Sequence, residues 1–139
     1  MSIDRGLLRN GFVVFLLSLL VGLAIPFVLN PRMALAAHVT GIMLALLLIA
    51  LSVVWEALGL SAGRAKLVRG LYLYGTYASL AAGVLGAVWG TSRVTMIAGA
   101  GFHASATKEL VVQVLFVSLG LALLAATVLV VLSLYRRGR

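Results

Sequence analysis

Polar and charged residues divide this chain into four long apolar stretches, at about 11–29, 33–57, 67–90 and 108–135. Between them lie Asn30-Pro31-Arg32, then Gly59 to Lys66, then Thr91 to Thr107, each carrying turn formers or charge. A helix that crosses a bilayer needs about 20 apolar residues, and the stretches are of that order. None alternates apolar and polar positions over the roughly ten residues of a barrel strand, which disfavours a membrane β-barrel. The pattern predicts an all-α integral membrane protein, a single domain over 1–139 folded as a bundle of four transmembrane helices.

Composition narrows the chemistry. Of the 139 residues, 63% are hydrophobic and 10% charged, against ~45–50% and ~25% in a soluble domain. There is no Cys, which removes disulfides, thiolate nucleophiles and Cys-ligated metals. Asp4, Glu56 and Glu109 are the only carboxylates, which argues against a paired acid/base site or a carboxylate-held metal. No Gly-rich phosphate loop is present. The net charge of +8 would suggest nucleic acid in a soluble protein. Here the basic residues flank the apolar runs, as membrane topology requires, so the expected partner is the lipid bilayer and no nucleic acid is expected. The first run imitates a signal peptide, with Arg5 and Arg9 before it and Ala34-Leu35-Ala36 after it. It is longer than a signal core and Pro31-Arg32 interrupts it before the Ala site, so a retained helix is predicted.

Lys and Arg also give a direction. Arg5, Arg9, Arg64, Lys66, Arg69, Arg136, Arg137 and Arg139 fall on one side, and Arg32, Arg93 and Lys108 on the other. Basic residues concentrate in the cytoplasm, which places both termini there. Bulk rich in Ala, Leu and Val, with Arg over Lys, suggests a bacterium of high genomic GC and hence a multi-pass protein of the bacterial inner membrane. Trp55, Tyr72, Trp89 and Tyr135 fall near helix ends, as interfacial aromatics do. On the third helix Gly75, Ser79, Gly83 and Ala87 recur every four residues, as do Ala78, Ala82, Gly86 and Gly90. Such faces admit close helix approach. Two readings stand: packing within the bundle, or a surface for another protomer or a flat cofactor.

Ionisable groups within a membrane are costly and are usually functional. His38 falls about six residues into the second helix. A neutral imidazole is a common iron ligand, and Gly41, at i+3, leaves room for a planar macrocycle. A hydrogen bond to a neighbouring helix is the simpler account of His38 taken alone. Tyr74 and Tyr77 border the small-residue face, and a buried phenol needs a partner, either a substrate oxygen or a backbone carbonyl. Arg32, Arg93 and Lys108 share a side with His38 and suit either interfacial anchoring or the carboxylates of a haem. Glu56 reads as a surface residue near Arg64 and Lys66, and Glu109 as an acid suited to a helix start. His103, on the third loop, is the alternative His ligand.

The segment Asn30-Pro31-Arg32-Met33-Ala34-Leu35-Ala36-Ala37-His38 resembles the first loop and second helix of the styrene oxide isomerase and hydroxylaminobenzene mutase family. Leu73-Tyr74-Gly75-Thr76-Tyr77-Ala78, Ala87-Val88-Trp89-Gly90 and the Gly-rich third loop with its His are similar too. The resemblance implies a homotrimer with haem b between neighbouring protomers and His38 as the axial ligand of the iron. It implies a lipophilic small-molecule substrate, an epoxide isomerised to an aldehyde or an arylhydroxylamine rearranged to an aminophenol. The ferric iron would act as a Lewis acid, without net redox change. It assigns a substrate contact to a third-helix phenol, Tyr77 ahead of Tyr74, and another to an Asn of the second helix. That Asn position is Leu44 here. Thr40 stands where an acid is often found, and Ser79 where the family pattern has Asn. Leu44 and Ser79 are thus the expected substrate-pocket positions, with fewer polar groups than the resemblance calls for.

The expected function is therefore a membrane-embedded haem isomerase or mutase. The alternatives are a haem protein without isomerase activity, serving as a sensor or in electron transfer, and a purely structural membrane protein. A small multidrug-type transporter would need an acid within a helix, and the first helix has no ionisable residue between Gly11 and Leu29.

Overall fold

The computed structural model describes residues 3–137, with Arg137 described through its backbone alone. It consists of four long helices, α1 (Arg5–Ala24), α2 (Pro31–Val54), α3 (Ala62–Trp89) and α4 (Ala106–Arg137). Short 3₁₀ turns at Ile25–Phe27 and Trp55–Leu58 follow α1 and α2. There is no strand among the described residues. All four helices are long and apolar enough to span a membrane. The chain is an all-helical, multi-pass membrane protein.

The helix ends differ from the apolar runs because backbone chemistry, not hydropathy, sets them. α1 begins at residue 5 instead of 11 because Asp4 caps it, accepting the N–H groups of Gly6 and Leu7 at 2.9 Å each. The other Asp4 oxygen pairs with Arg69 on α3 at 3.0 Å, and the Asp4 N–H reaches the Ser52 carbonyl on α2 at 2.9 Å. One residue therefore ties three helices at the end of the bundle that carries the N-terminus. α1 stops at Ala24 instead of 29 because Pro26 has no N–H and its ring crowds the preceding turn. α2 opens on Pro31, where a missing N–H is harmless, and Asn30 caps it by accepting the Met33 N–H at 3.1 Å. At the far end of α3 the chain turns at Gly90, whose φ of 66° suits glycine.

α1 pairs with α2 and α3 with α4, and contact between α2 and α3 joins the two hairpins. α1 touches α3 lightly, whereas α4 lies on α3 and the Trp55–Leu58 turn without approaching α1. In lipid, helices associate through close packing more than through burial from water, and the small residues of α3 serve this. A Cβ added at Gly83 would come within 2.6 Å of Ala37 Cβ on α2, and one at Gly75 within 2.6 Å of Leu123 on α4. Ala78 and Ala82 pack on Leu119 of α4. The small-residue face thus packs within the chain. Ala34, in the sequence that imitates a cleavage site, is buried inside α2.

One aromatic is placed differently from expectation. Tyr72 is 3% exposed and packs with Leu7, Leu48, Val68 and Ala126. Its hydroxyl meets Thr127 Oγ1 at 3.1 Å. It lies ten residues inside α3, and a buried phenol with a hydroxyl partner is stable away from the interface.

Gly83→Ala should push α2 from α3 and destabilise the fold by about 1–3 kcal/mol. Thermal unfolding in detergent measures this, and an unchanged midpoint would contradict the packing described.

Candidate functional site

Three side chains hold the loop between α3 and α4 across the bundle. Asn30 is fully buried; its Nδ2 donates to the Ala98 carbonyl at 2.8 Å while its N–H reaches the Ala87 carbonyl at 2.9 Å. Arg32 donates to the Ala100 carbonyl and lies 5.8 Å from the Phe102 ring centre. Glu109, 6% exposed, accepts the N–H groups of Ser92 and Arg93 at 2.9 and 3.0 Å. Glu109 therefore fastens the loop to α4 in addition to standing in the first turn of that helix. Lys108 Nζ sits 5.8 Å from the Trp89 ring, and His103 is exposed on the loop.

His38 turns from α2 towards α1. Its Nδ1 lies 2.7 Å from the Ser18 carbonyl oxygen. A carbonyl only accepts, so Nδ1 carries the proton, and in the neutral ring the lone pair is on Nε2. The ring is half-buried. It lies against Gly22, where a Cβ would come within 2.7 Å of both Cε1 and Nδ1. The glycine that makes room for His38 is therefore Gly22 on α1. The space beside Gly41 is closed instead, because a Cβ there would strike Ser18 Oγ and approach Leu80 to 3.2 Å. Gly41 serves the crossing of α1, α2 and α3.

The two phenols part company. Tyr77 donates to Asn10 Oδ1 at 2.8 Å and lines an apolar groove of about 470 Å³ between α1 and α3, with Leu20, Val21 and Val84. Tyr74 is exposed and shares a 2.6 Å hydrogen bond with Ser118 on α4. His38 and Tyr77 therefore reach α1 at Ser18 and Asn10, eight residues apart, which is roughly 12 Å along the helix. One chain does not bring them together.

A second, smaller space holds Thr40 and Ser79, two of the three positions that the family pattern marked, and not Leu44. A chamber of about 120 Å³ lies between α2, α3, α4 and the third loop, with Thr40, Ser79 and Thr95 in its wall. Ala37, beside it, faces Gly83 on α3. His38, one residue and about 100° further round the helix, faces α1. α2 thus stands between His38 and the chamber. Leu44, half-buried, follows Thr40 by one turn.

Sequence reasoning missed Asn10, Ser18 and Gly22. The signal was present: Ser18 and Gly22 form a small-xxx-small pair on an apolar helix, and Asn10 is polar within the first span. No cluster of three or more metal-binding side chains exists among the described residues.

A family model described as styrene oxide isomerase matches residues 3–135. Hydroxylaminobenzene mutase HabA of Ectopseudomonas oleovorans is 37% identical over 131 residues, covering 94% of this chain and 97% of that protein. Hydroxylaminobenzene mutase HabB of the same organism is 36% identical over 126 residues, covering 90% and 77%. No solved structure matches significantly.

Gly22→Ala should displace the His38 ring from Ser18 and shift its side-chain ¹⁵N resonances, measured on His-labelled protein. Unchanged resonances would contradict the contact. Asn30→Ala removes both a helix cap and a loop tether, and should speed amide exchange in residues 95–101 roughly tenfold. Wild-type protection in that variant would show that the loop is held by something else.

Proposed function

The chain belongs to the styrene oxide isomerase family, and from that premise we propose a membrane mutase of lipophilic arylhydroxylamines that uses haem b held by His38. It is an enzyme of the isomerase or mutase kind, as its relatives are. Arylhydroxylamine is preferred to epoxide because both relatives reported above are named hydroxylaminobenzene mutases. Leu44, where the resemblance calls for Asn, points the same way.

The observation that carries the reading is the anchoring of His38. With Nδ1 committed to the Ser18 carbonyl, Nε2 has the lone pair that a metal requires. A ring nitrogen fixed by a carbonyl is the usual support of a metal-binding His. The residues present therefore fit a haem with one protein ligand. When bound, such a group supplies an iron with one face open to accept a substrate oxygen as a Lewis acid.

The chain's own residues do the rest. His38 binds the group, the Ser18 carbonyl fixes the ring and its tautomer, and Gly22 leaves the ring its space. Apolar walls exclude water from a reactive intermediate. Tyr77 can donate to a substrate oxygen once its hydroxyl leaves Asn10. Asp4 and Glu109 hold backbone N–H groups, so neither is assigned as a general base. Arg32 is engaged by the third loop through Ala100, and any contact with haem carboxylates would use its remaining donors.

The separation of His38 from Tyr77 within one chain supports a site completed by a neighbouring copy, as in the homotrimer the resemblance implies. The charge count supports placement in the bacterial inner membrane with both termini in the cytoplasm.

An absorption spectrum of detergent-purified protein, expressed with haem supplied, tests the assignment. A Soret band is expected in the wild type and should be lost in His38→Ala. The loaded protein should convert hydroxylaminobenzene to aminophenol without a redox partner. Haem retained in His38→Ala would overturn the ligand. Haem without turnover of hydroxylaminobenzene or styrene oxide would favour a haem protein of the non-isomerase kind, the reading that Leu44 also admits.

A further inference from the structure

The 120 Å³ chamber under the third loop has a composition that scaffold packing does not require. Its walls include Met33, Ala37 and Phe116, and its polar atoms are hydroxyls. Thr95 Oγ1 is buried and has no hydrogen-bond partner. Ser79 is only 6% exposed, and its hydroxyl makes no hydrogen bond among the described residues. A buried hydroxyl left unpaired costs about 1–3 kcal/mol, and Thr95 Oγ1 is one, with the Ser79 hydroxyl in the same wall. No charged side chain lines the chamber, so an ion would be poorly held there.

We propose that this chamber binds a small single-ring aromatic whose short polar head both donates and accepts hydrogen bonds, with the head at Ser79 and Thr95. The size agrees for the head and part of the ring: a closed apolar cavity of about 150 Å³ admits benzene, and this chamber of about 120 Å³ leaves the rest of the ring in its mouth at Ala36 and Thr40. The chemistry agrees as well, because each hydroxyl can donate one bond and accept others, and an N–OH or C–OH head offers both. Phe116 provides an aromatic wall for the ring. Ala36 and Thr40, in the same wall, are exposed on the outer surface of the bundle, so the chamber opens towards the phase where a lipophile dissolves. That it takes an aromatic stands on the chamber alone. That the aromatic is the arylhydroxylamine substrate, taken up here before it reaches an iron at His38 beyond α2, rests on the function proposed above.

Benzyl alcohol is an unreactive isostere of hydroxylaminobenzene, and ethylbenzene is its counterpart without the polar head. Equilibrium dialysis of both against the full-length protein in detergent tests the site. Wild type is expected to bind benzyl alcohol above the detergent background. Ser79→Ala and Thr95→Val should each weaken that binding about fivefold and leave ethylbenzene binding unchanged. Ala36→Leu, a change at an exposed position, should exclude both compounds while the thermal midpoint stays near wild type. Benzyl alcohol bound equally by all four proteins, or by none of them, would overturn the proposal and leave the chamber to ordered water. Turnover separates the two readings. Benzyl alcohol bound as expected, without conversion of hydroxylaminobenzene, sinks the function and keeps the chamber. Conversion that benzyl alcohol does not inhibit does the reverse.

Discussion

The stretch from residue 91 to 105 must satisfy its backbone without a helix, beside four helices that suit lipid. An unpaired backbone group away from water costs several kcal/mol, so the loop depends on partners supplied from outside it. Asn30 and Arg32, at the start of α2, and Glu109, in the first turn of α4, supply them. Much else follows from these bonds. They bring Thr95 and Ala98 over the space between α2 and α3, and they set the start of α4 against α3. The Asn-Pro-Arg segment that resembles the family is, in structural terms, this fastening.

The first helix does comparable service for the other three. It contributes a carbonyl to His38, an amide to Tyr77 and a cap residue to Arg69. Its polar atoms turn inward while Phe12, Leu16, Leu20 and Leu23 remain exposed, as a lipid-facing helix requires. Positioning of both candidate site residues therefore comes from the helix with the least distinctive sequence. A membrane helix needs few polar atoms to be specific, because each one has few alternatives in its surroundings.

The four helices and their apolar faces were legible in the sequence, since length and hydropathy suffice to mark a span. Their ends were less so, because Asp4 acts through its cap hydrogen bonds and Pro26 through a missing N–H, neither of which an apolar count registers. His38 was visible as an ionisable group well inside a span, whereas its partner was a backbone carbonyl, which no side chain announces. Gly41 was read as an opening beside His38 by its spacing on α2, and the crossing of α1 fills that space with Ser18. Tyr72 was assigned to the interface by position along α3, and its burial depends on Thr127 of a helix 55 residues further on. Tertiary partners of that kind carry no local pattern.

The Asp4 clamp has a consequence for biogenesis. Its carboxylate joins the N–H groups of its own helix to a guanidinium 65 residues further along the chain. During synthesis α1 and α2 can pair as soon as both have entered the bilayer, with one Asp4 oxygen already engaged. The second oxygen finds Arg69 only when α3 arrives. The start of α1 is thus locked by a later helix, and a single early residue couples the first hairpin to the third span.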